Sequence, residues 1–271
     1  MLNQQIIQQK LLHLGNDTPL DLYLFETIDS TNRFLKTLPP TTIPLTISCC
    51  IAEMQTAGRG RFGRAWYSPF AENIYCSVRW RFTKEPAALS GLSLVVSLSV
   101  VAMLANVSIT QGVRIKWPND ILWNDKKLSG VLIEIIEKNQ HGTDVVIGIG
   151  LNVNSNLPQS PDHAKPWCSL IDITGQPFDR NELLARLIDQ LQRDLTQFNL
   201  EGFSAFITRW KNVDYLVHKR ITVSHHTTTI EGKATGINNQ GQLLIEDPLM
   251  KIHVLSSGDP SLMLINKTTE D

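Results

Sequence analysis

Three arginines fall within six positions of one glycine-rich stretch, Gly58-Arg59-Gly60-Arg61-Phe62-Gly63-Arg64. Glycine lets a backbone come close to a ligand, and guanidinium groups bind carboxylates and phosphates through paired N–H donors. The combination suits an anionic ligand that has to be wrapped. The stretch also matches G-x-G-x-x-G, but the dinucleotide version of that pattern needs its glycines to open a helix directly. Here the chain runs on through Trp66, Tyr67 and Pro69 into a strand, so that reading is rejected. Taken alone, the stretch still has two plainer readings: a surface loop with solvated arginines, and an RGG-like RNA-binding segment.

The chain contains no G-x-x-x-x-G-K-[ST] phosphate loop, so a nucleotide would have to be held by cations from separate elements. Two lysines qualify. Lys116 precedes Trp117-Pro118-Asn119-Asp120, and Lys127 opens an apolar run next to the small pair Ser129-Gly130. A lysine at a strand start beside small residues can project its ammonium into a cleft, although either one alone reads equally as a surface charge. Cys49, Cys50, Cys76 and Cys168 lack C-x-x-C spacing, and no pair among the seven histidines has ligand spacing, so reduced thiols and no structural metal site are expected. His225-His226 reads as a solvated turn or edge.

These side chains need a scaffold. Ile74 to Phe82 alternates apolar and polar residues over nine positions, the pattern of a strand. Asp21–Glu26, Leu45–Ala52, Val113–Trp117, Lys127–Glu137 and Asp144–Asn152 read as further strands. Ser30 stands where a helix N-cap would precede Thr31-Asn32-Arg33-Phe34-Leu35. A helix is predicted from about Pro86 to Val107, opened by proline, which loses nothing at a first helical position. A loop is expected over Asn154–Pro166. Leu183, Leu184, Leu187, Ile188, Leu191 and Leu195 have helical spacing within Asp179–Phe198, and a second helical segment follows from Phe203 to Trp210. Beyond Val217 the pattern changes to short strands, with Asn238-Asn239-Gln240-Gly241 as a hairpin turn. The division expected is a lead-in over residues 1–20, an α+β unit over 21–216 and a small β-barrel over 217–271.

With 25 basic and 26 acidic residues the formal charge is -1, which leaves no global field for nucleic acid or anionic membrane. The start of the chain lacks the features of a secretory signal. Leu89–Val107 is interrupted by serines and a glycine, which suits a buried helix better than a membrane span. A soluble, cytoplasmic protein is expected.

Several segments together resemble the biotin–protein ligase family. They are Asp29-Ser30-Thr31-Asn32, Glu53 through Arg64, Trp66-Tyr67-Ser68-Pro69, Lys116-Trp117-Pro118-Asn119-Asp120, Lys127-Leu128-Ser129-Gly130 and Gly148 through Asn154. They stand in the family's order and spacing from about Asp21 onward. The resemblance implies an α+β fold of the class II synthetase-like type, a mixed sheet with helices packed on one side, plus a C-terminal SH3-like barrel. It implies two substrates, biotin and ATP carried with Mg2+, an acyl-adenylate intermediate, and transfer to a lysine of a biotin carboxyl carrier protein. By matching position, Ser30, Thr31, Asn32, Gln55, Arg59, Gly60, Arg61, Lys127 and Gly130 would bind biotin. Arg59, Arg61, Arg64, Lys116, Asn119, Asp120, Asn152 and Trp167 would bind ATP or the adenylate, and Lys127 and Arg61 would carry the chemistry.

Two departures change what is carried over. Only 29 residues precede Ser30, too few for the DNA-binding module of the family's repressor members, so no specific DNA partner is expected. Met263 stands where an arginine is often found, so an ATP contact from the small barrel is not carried over. A lipoate–protein ligase shares the chemistry but lacks the Gly-Arg-Gly-Arg and Lys-Trp-Pro-Asn-Asp segments in this form. Oligomeric state is not legible, and a homodimer stays open.

Overall fold

The computed structural model describes residues 1–39, 47–140, 142–155, 166–225 and 228–263. In chain order the elements are α1 (Gln4–His13), β1 (Leu20–Ile28), α2 (Thr31–Thr37), β2 (Ile47–Gln55), β3 (Ile74–Phe82), α3 (Leu92–Ala105), β4 (Val113–Lys116), β5 (Asp120–Trp123), β6 (Lys126–Asn139) and β7 (Gly142–Leu151). There follow α4 (Leu170–Thr174), α5 (Arg180–Glu201), α6 (Ile207–Lys211), β8 (Arg220–His225), β9 (Thr228–Ile237), β10 (Leu243–Glu246), β11 (Ile252–Leu255) and β12 (Asp259–Leu262). Seven strands form one mixed sheet in the order β1-β2-β3-β7-β6-β5-β4, in which only β1 and β2 run parallel.

The two faces of this sheet are covered differently. Cys49 belongs to the large core with α3 and α5, whereas Cys50 joins Leu35 of α2 and Val146 on the opposite face. Neighbours in a strand point to opposite faces, so α2 lies across the sheet from α3 and α5. The expectation of helices on one side is corrected by this one short helix. Double coverage also explains why β3 is buried along nearly all its length despite its alternating sequence: Ser77 and Arg79 are buried under α2. Arg79 donates to the backbone carbonyls of Leu38 and Pro39 just past α2, and to Asp144 at 2.9 Å.

Period 3.6 works for α5, whose leucines at 183, 184, 187, 191 and 195 are all buried, each worth about 1.5–3 kcal/mol. Asp179 caps it through the Asn181 N–H. The helix expected from Pro86 is instead a short 3-10 turn, Pro86–Leu89, and then α3, separated at Gly91, whose φ is 83°. The stretch Pro86–Ala105 is long and apolar enough to span a membrane, yet 61% of its apolar 18-residue window is buried, with α3 packed on α5. The sequence reading missed β5, four residues long, and α4, five residues long and held by a Ser169–Asp172 capping box. Part of the strand predicted from Leu45, most of the loop predicted over Asn154–Pro166, and His226 lie outside the described residues.

The last five strands form an antiparallel sheet in the order β11-β10-β9-β8-β12. The turn at Asn238–Gly241 falls between β9 and β10 as expected, with the Asn238 carboxamide oxygen accepting from the Gln240 and Gln242 N–H groups. The sheet does not close into the expected barrel among the described residues. After β11 the chain turns at Gly258 and β12 pairs with β8 over all four residues, which leaves β11 and β12 at opposite edges.

Candidate active site

The cleft opens on the α2 face of the large sheet. Its floor is read from register: Tyr75, Gly150 and Gly130 stand side by side on β3, β7 and β6, and Ser77, Gly148 and Leu132 form the next row. The glycines make room for side chains that lie flat on the sheet. A methyl group on Gly150 would sit 2.3 Å from the indole of Trp66, and one on Gly148 would sit 2.3 Å from Asn32 Oδ1.

One end of the cleft is uncharged and polar. Ser30 caps α2 through the Arg33 N–H, and Ser30, Thr31 and Asn32 are buried. Both the N–H and the hydroxyl of Thr31 donate to Gln55 Oε1, at 3.0 and 3.1 Å. Gln55 in turn donates to Ser68 at 3.1 Å. Ser77 Oγ lies 2.7 Å from Thr31 Oγ1 and 2.6 Å from Asn32 Oδ1, so each amide has a defined orientation.

The other end is basic. A β-bulge in the β5–β6 pairing shifts the register between Ile121 and Leu122, so that Lys127 pairs with Leu122 while Ser129 pairs with Ile121. The bulge reverses the alternation of faces. Lys127 therefore shares a face with Gly130 and Asp120, and its ammonium lies 2.7 Å from Asp120 Oδ1 and 5.3 Å from the centre of the Trp66 ring. The arginine loop is drawn together by Trp66 N–H donating to Gly58 O and Gly60 N–H donating to Arg64 O, at 2.9 and 2.7 Å. Its tip, Arg61–Gly63, is a single 3-10 turn.

That shape sets Arg61 and Arg64 against the same Phe62 ring and sends Arg59 to the other side of the cleft. Arg61 donates to Asn119 Oδ1 and to Gly258 O, both at 3.2 Å, while Arg64 pairs with Asp259. Arg59 reaches Glu134 at 3.5 Å. Burial lowers the pKa of Arg61 from its ordinary value, against the opposing charges of Asp259 and Asp120. Burial alone would raise the Glu134 carboxyl, but hydrogen bonds from Lys36 and Asn32 and the nearby positive charges hold it below the usual range.

Of the residues singled out from sequence, Ser30, Thr31, Asn32, Gln55, Arg59, Gly60, Arg61, Arg64, Asn119, Asp120, Lys127 and Gly130 line this one cleft. Lys116, Asn152 and Trp167 do not line it. Lys116 stands opposite Asp120 in the β4–β5 ladder. The Asn152 amide donates to the carbonyls of Cys168 and Lys127, and Trp167 forms a parallel bridge with Lys127, so these two brace the start of β6. Sequence reasoning assigned no role to Ser77, Trp66 or Asp259, which line the cleft, or to Glu134, which contacts Asn32 and Arg59 beside it. Two of them left a usable signal: Trp66 opens one of the family-like segments, and Glu134 is a lone acid within the apolar run Val131–Ile136.

Mixed sheet, glycine-floored cleft and basic loop together define the biotin/lipoate type of protein ligase, and residues 24–152 match the model of the Biotin/lipoate A/B protein ligase family. The chain is 36% identical to the bifunctional ligase/repressor BirA of Salmonella typhimurium, over 89% of this chain and 74% of that protein. It is 33% identical to the biotin--[acetyl-CoA-carboxylase] ligase of Mycobacterium tuberculosis, over 77% and 76% of the respective chains. The solved biotin protein ligase from Aquifex aeolicus in complex with biotin and ATP superposes with a TM-score of 0.76 at 29% identity, covering 90% of this chain and 98% of that one. The chain belongs to the biotin–protein ligase family.

Proposed function

We propose that this chain activates biotin with ATP and transfers it to a lysine of a biotin carboxyl carrier protein. One observation carries the site assignment: Lys127 and Arg61, 66 residues apart in sequence, converge on the neighbouring residues Asp120 and Asn119 beside an uncharged polar pocket. The pocket formed by Ser30, Thr31 and Gln55 suits the neutral head of biotin, and the basic end suits its carboxylate and the nucleotide phosphates.

In the first step the biotin carboxylate attacks the α-phosphorus, the bond to the bridging oxygen breaks and pyrophosphate leaves. A carboxylate is already ionised at neutral pH, so no general base is required. The barrier comes from bringing two anions together and from charge building on the phosphoryl oxygens. Lys127 and Arg61 oppose both, and they do so from a cleft partly removed from water. In the second step the neutral amine of the acceptor lysine attacks the acyl carbon, AMP leaves and an amide forms. Mg2+ is read as part of the ATP substrate, because this ion is commonly held by substrate phosphates with only one or two carboxylates.

In this reading residues 1–20 are a lead-in, 21–216 the catalytic unit and 217–271 a C-terminal unit that supplies Gly258 and Asp259 to the arginine loop. The buried, reduced cysteines suit the cytoplasm. The relatives named as biotin ligases place the lipoate alternative second and supersede the RNA-binding one. ATP–pyrophosphate exchange tests the proposal: exchange should depend on biotin and not respond to lipoate. Exchange supported equally by lipoate, or none with biotin, would overturn it.

A further inference from the structure

Glu134 is a carboxylate that the reaction does not use, yet it contacts two residues that line the cleft, Asn32 and Arg59. It sits on β6 two residues beyond Leu132, on the cleft face, with its side chain 20% exposed. Three donors from two separate segments converge on it. Asn32 Nδ2 donates to Oε2 at 2.8 Å, the Lys36 ammonium contacts Oε1, and an Arg59 NH2 lies 3.5 Å from both oxygens. Asn32 is thereby stretched across β7, over the space left by Gly148, with Ser77 at one end of its amide and Glu134 at the other.

We propose that Glu134 is a positioning residue for biotin capture: its charge holds Arg59 over the cleft before ligand arrives, while its oxygen fixes the Asn32 amide. The inference rests on the functional reading above. A long arginine on a glycine-flanked loop loses much freedom when it clamps a ligand. A carboxylate that holds it near the bound position removes part of that loss in advance. The contact is long, so Arg59 can shift onto a ligand without breaking a strong ion pair, whereas Lys36 remains as the counter-charge of Glu134. The effect should thus fall on biotin binding and leave the nucleotide end, which is held by Lys127 and Arg61, unchanged.

Glu134→Gln is the test, because glutamine keeps the shape and still offers an oxygen to Asn32 while losing the charge. It should raise the KM for biotin about 10-fold and leave the KM for ATP within about twofold. In an Arg59→Ala background the same substitution should change the KM for biotin less than about twofold, since the partner it acts through is gone. Glu134→Asp, which keeps the charge but withdraws it by one methylene, should give a smaller rise in the same direction, and it serves if the glutamine variant folds poorly. A fourth measurement needs no turnover. In ligand-free protein, tryptic cleavage at the Arg59–Gly60 bond, followed by mass spectrometry, should be faster in Glu134→Gln than in the parent.

Equal rises in both KM values, full additivity with Arg59→Ala, or unchanged cleavage at Arg59 would each overturn the assignment. A parent protein without biotin-dependent exchange would defeat the functional reading instead, and the cleavage measurement would still decide whether Glu134 restrains Arg59.

Discussion

Gly150→Ala adds one methyl group to a strand whose backbone accepts alanine, so its effect comes from space alone. The new Cβ would lie 2.3 Å from Cε2, 2.5 Å from Cζ2 and 2.6 Å from Nε1 of Trp66. Carbon atoms are in contact at about 3.5 Å, so the indole must retreat by about 1 Å. Its other neighbours leave little room, because Gly130 on the adjacent strand is also close to the ring and Lys127 stands over it. Overpacking of this kind costs about 1–3 kcal/mol. In a protein of this size that lowers Tm by roughly 2–10 °C. The functional loss should be larger than the stability loss, since a displacement of about 1 Å in reacting groups costs about 10²-fold. Differential scanning fluorimetry and ATP–pyrophosphate exchange measure the two effects. Adding Trp66→Leu to Gly150→Ala should recover most of the Tm and little of the exchange, because it relieves the overlap without restoring the surface beside Lys127. Exchange within about twofold of the parent, with Tm moved by less than about 1 °C, would refute the claim that the Gly150–Gly130 pair exists to seat Trp66.

Lys127→Ala should lower exchange by about 10²–10³-fold with little change in Tm, since it removes one charge aimed at the reacting oxygens; near-normal exchange would return Lys127 to a surface role. Arg61→Gly should retain the adenylate poorly, so the activated acyl group would label an unrelated lysine-rich protein more than the parent does, as read by biotin incorporation. Asp144 is buried between Arg79 and Arg81. Burial alone would raise its carboxyl, but the two arginines hold it below the ordinary carboxylate range. Its contribution is therefore fully present above the unfolded value near about 4 and is lost as pH falls through the lower folded value. Asp144→Asn should cost about 3–5 kcal/mol at pH 7 and flatten the acid limb of stability, as measured by urea unfolding from pH 7 downward. Cys168 is pushed up to about 12 by burial, so native protein at pH 8 should leave this thiol unmodified by a disulfide reagent that labels it rapidly after unfolding.

Local pattern carried much of this molecule. The alternation from Ile74 to Phe82 marks β3 residue for residue, and the leucine spacing marks α5, because both record which side of an element meets the core. The composition of the arginine loop singled out three residues that line the cleft, and motif order announced the family. Tertiary structure decided the rest. A period of two would place Lys127 on the same face as Ser129, and only the bulge in its pairing with β5 sets it beside Asp120 and Gly130. Ser77, Glu134 and Asp259 stand 45 or more residues from the groups they contact, so no local window contains both partners. Whether the last strands close is likewise a matter of which edges meet. Side-chain spacing specifies the face of each strand, whereas pairing partners and register are settled by the competition of whole strands for one another across the sheet.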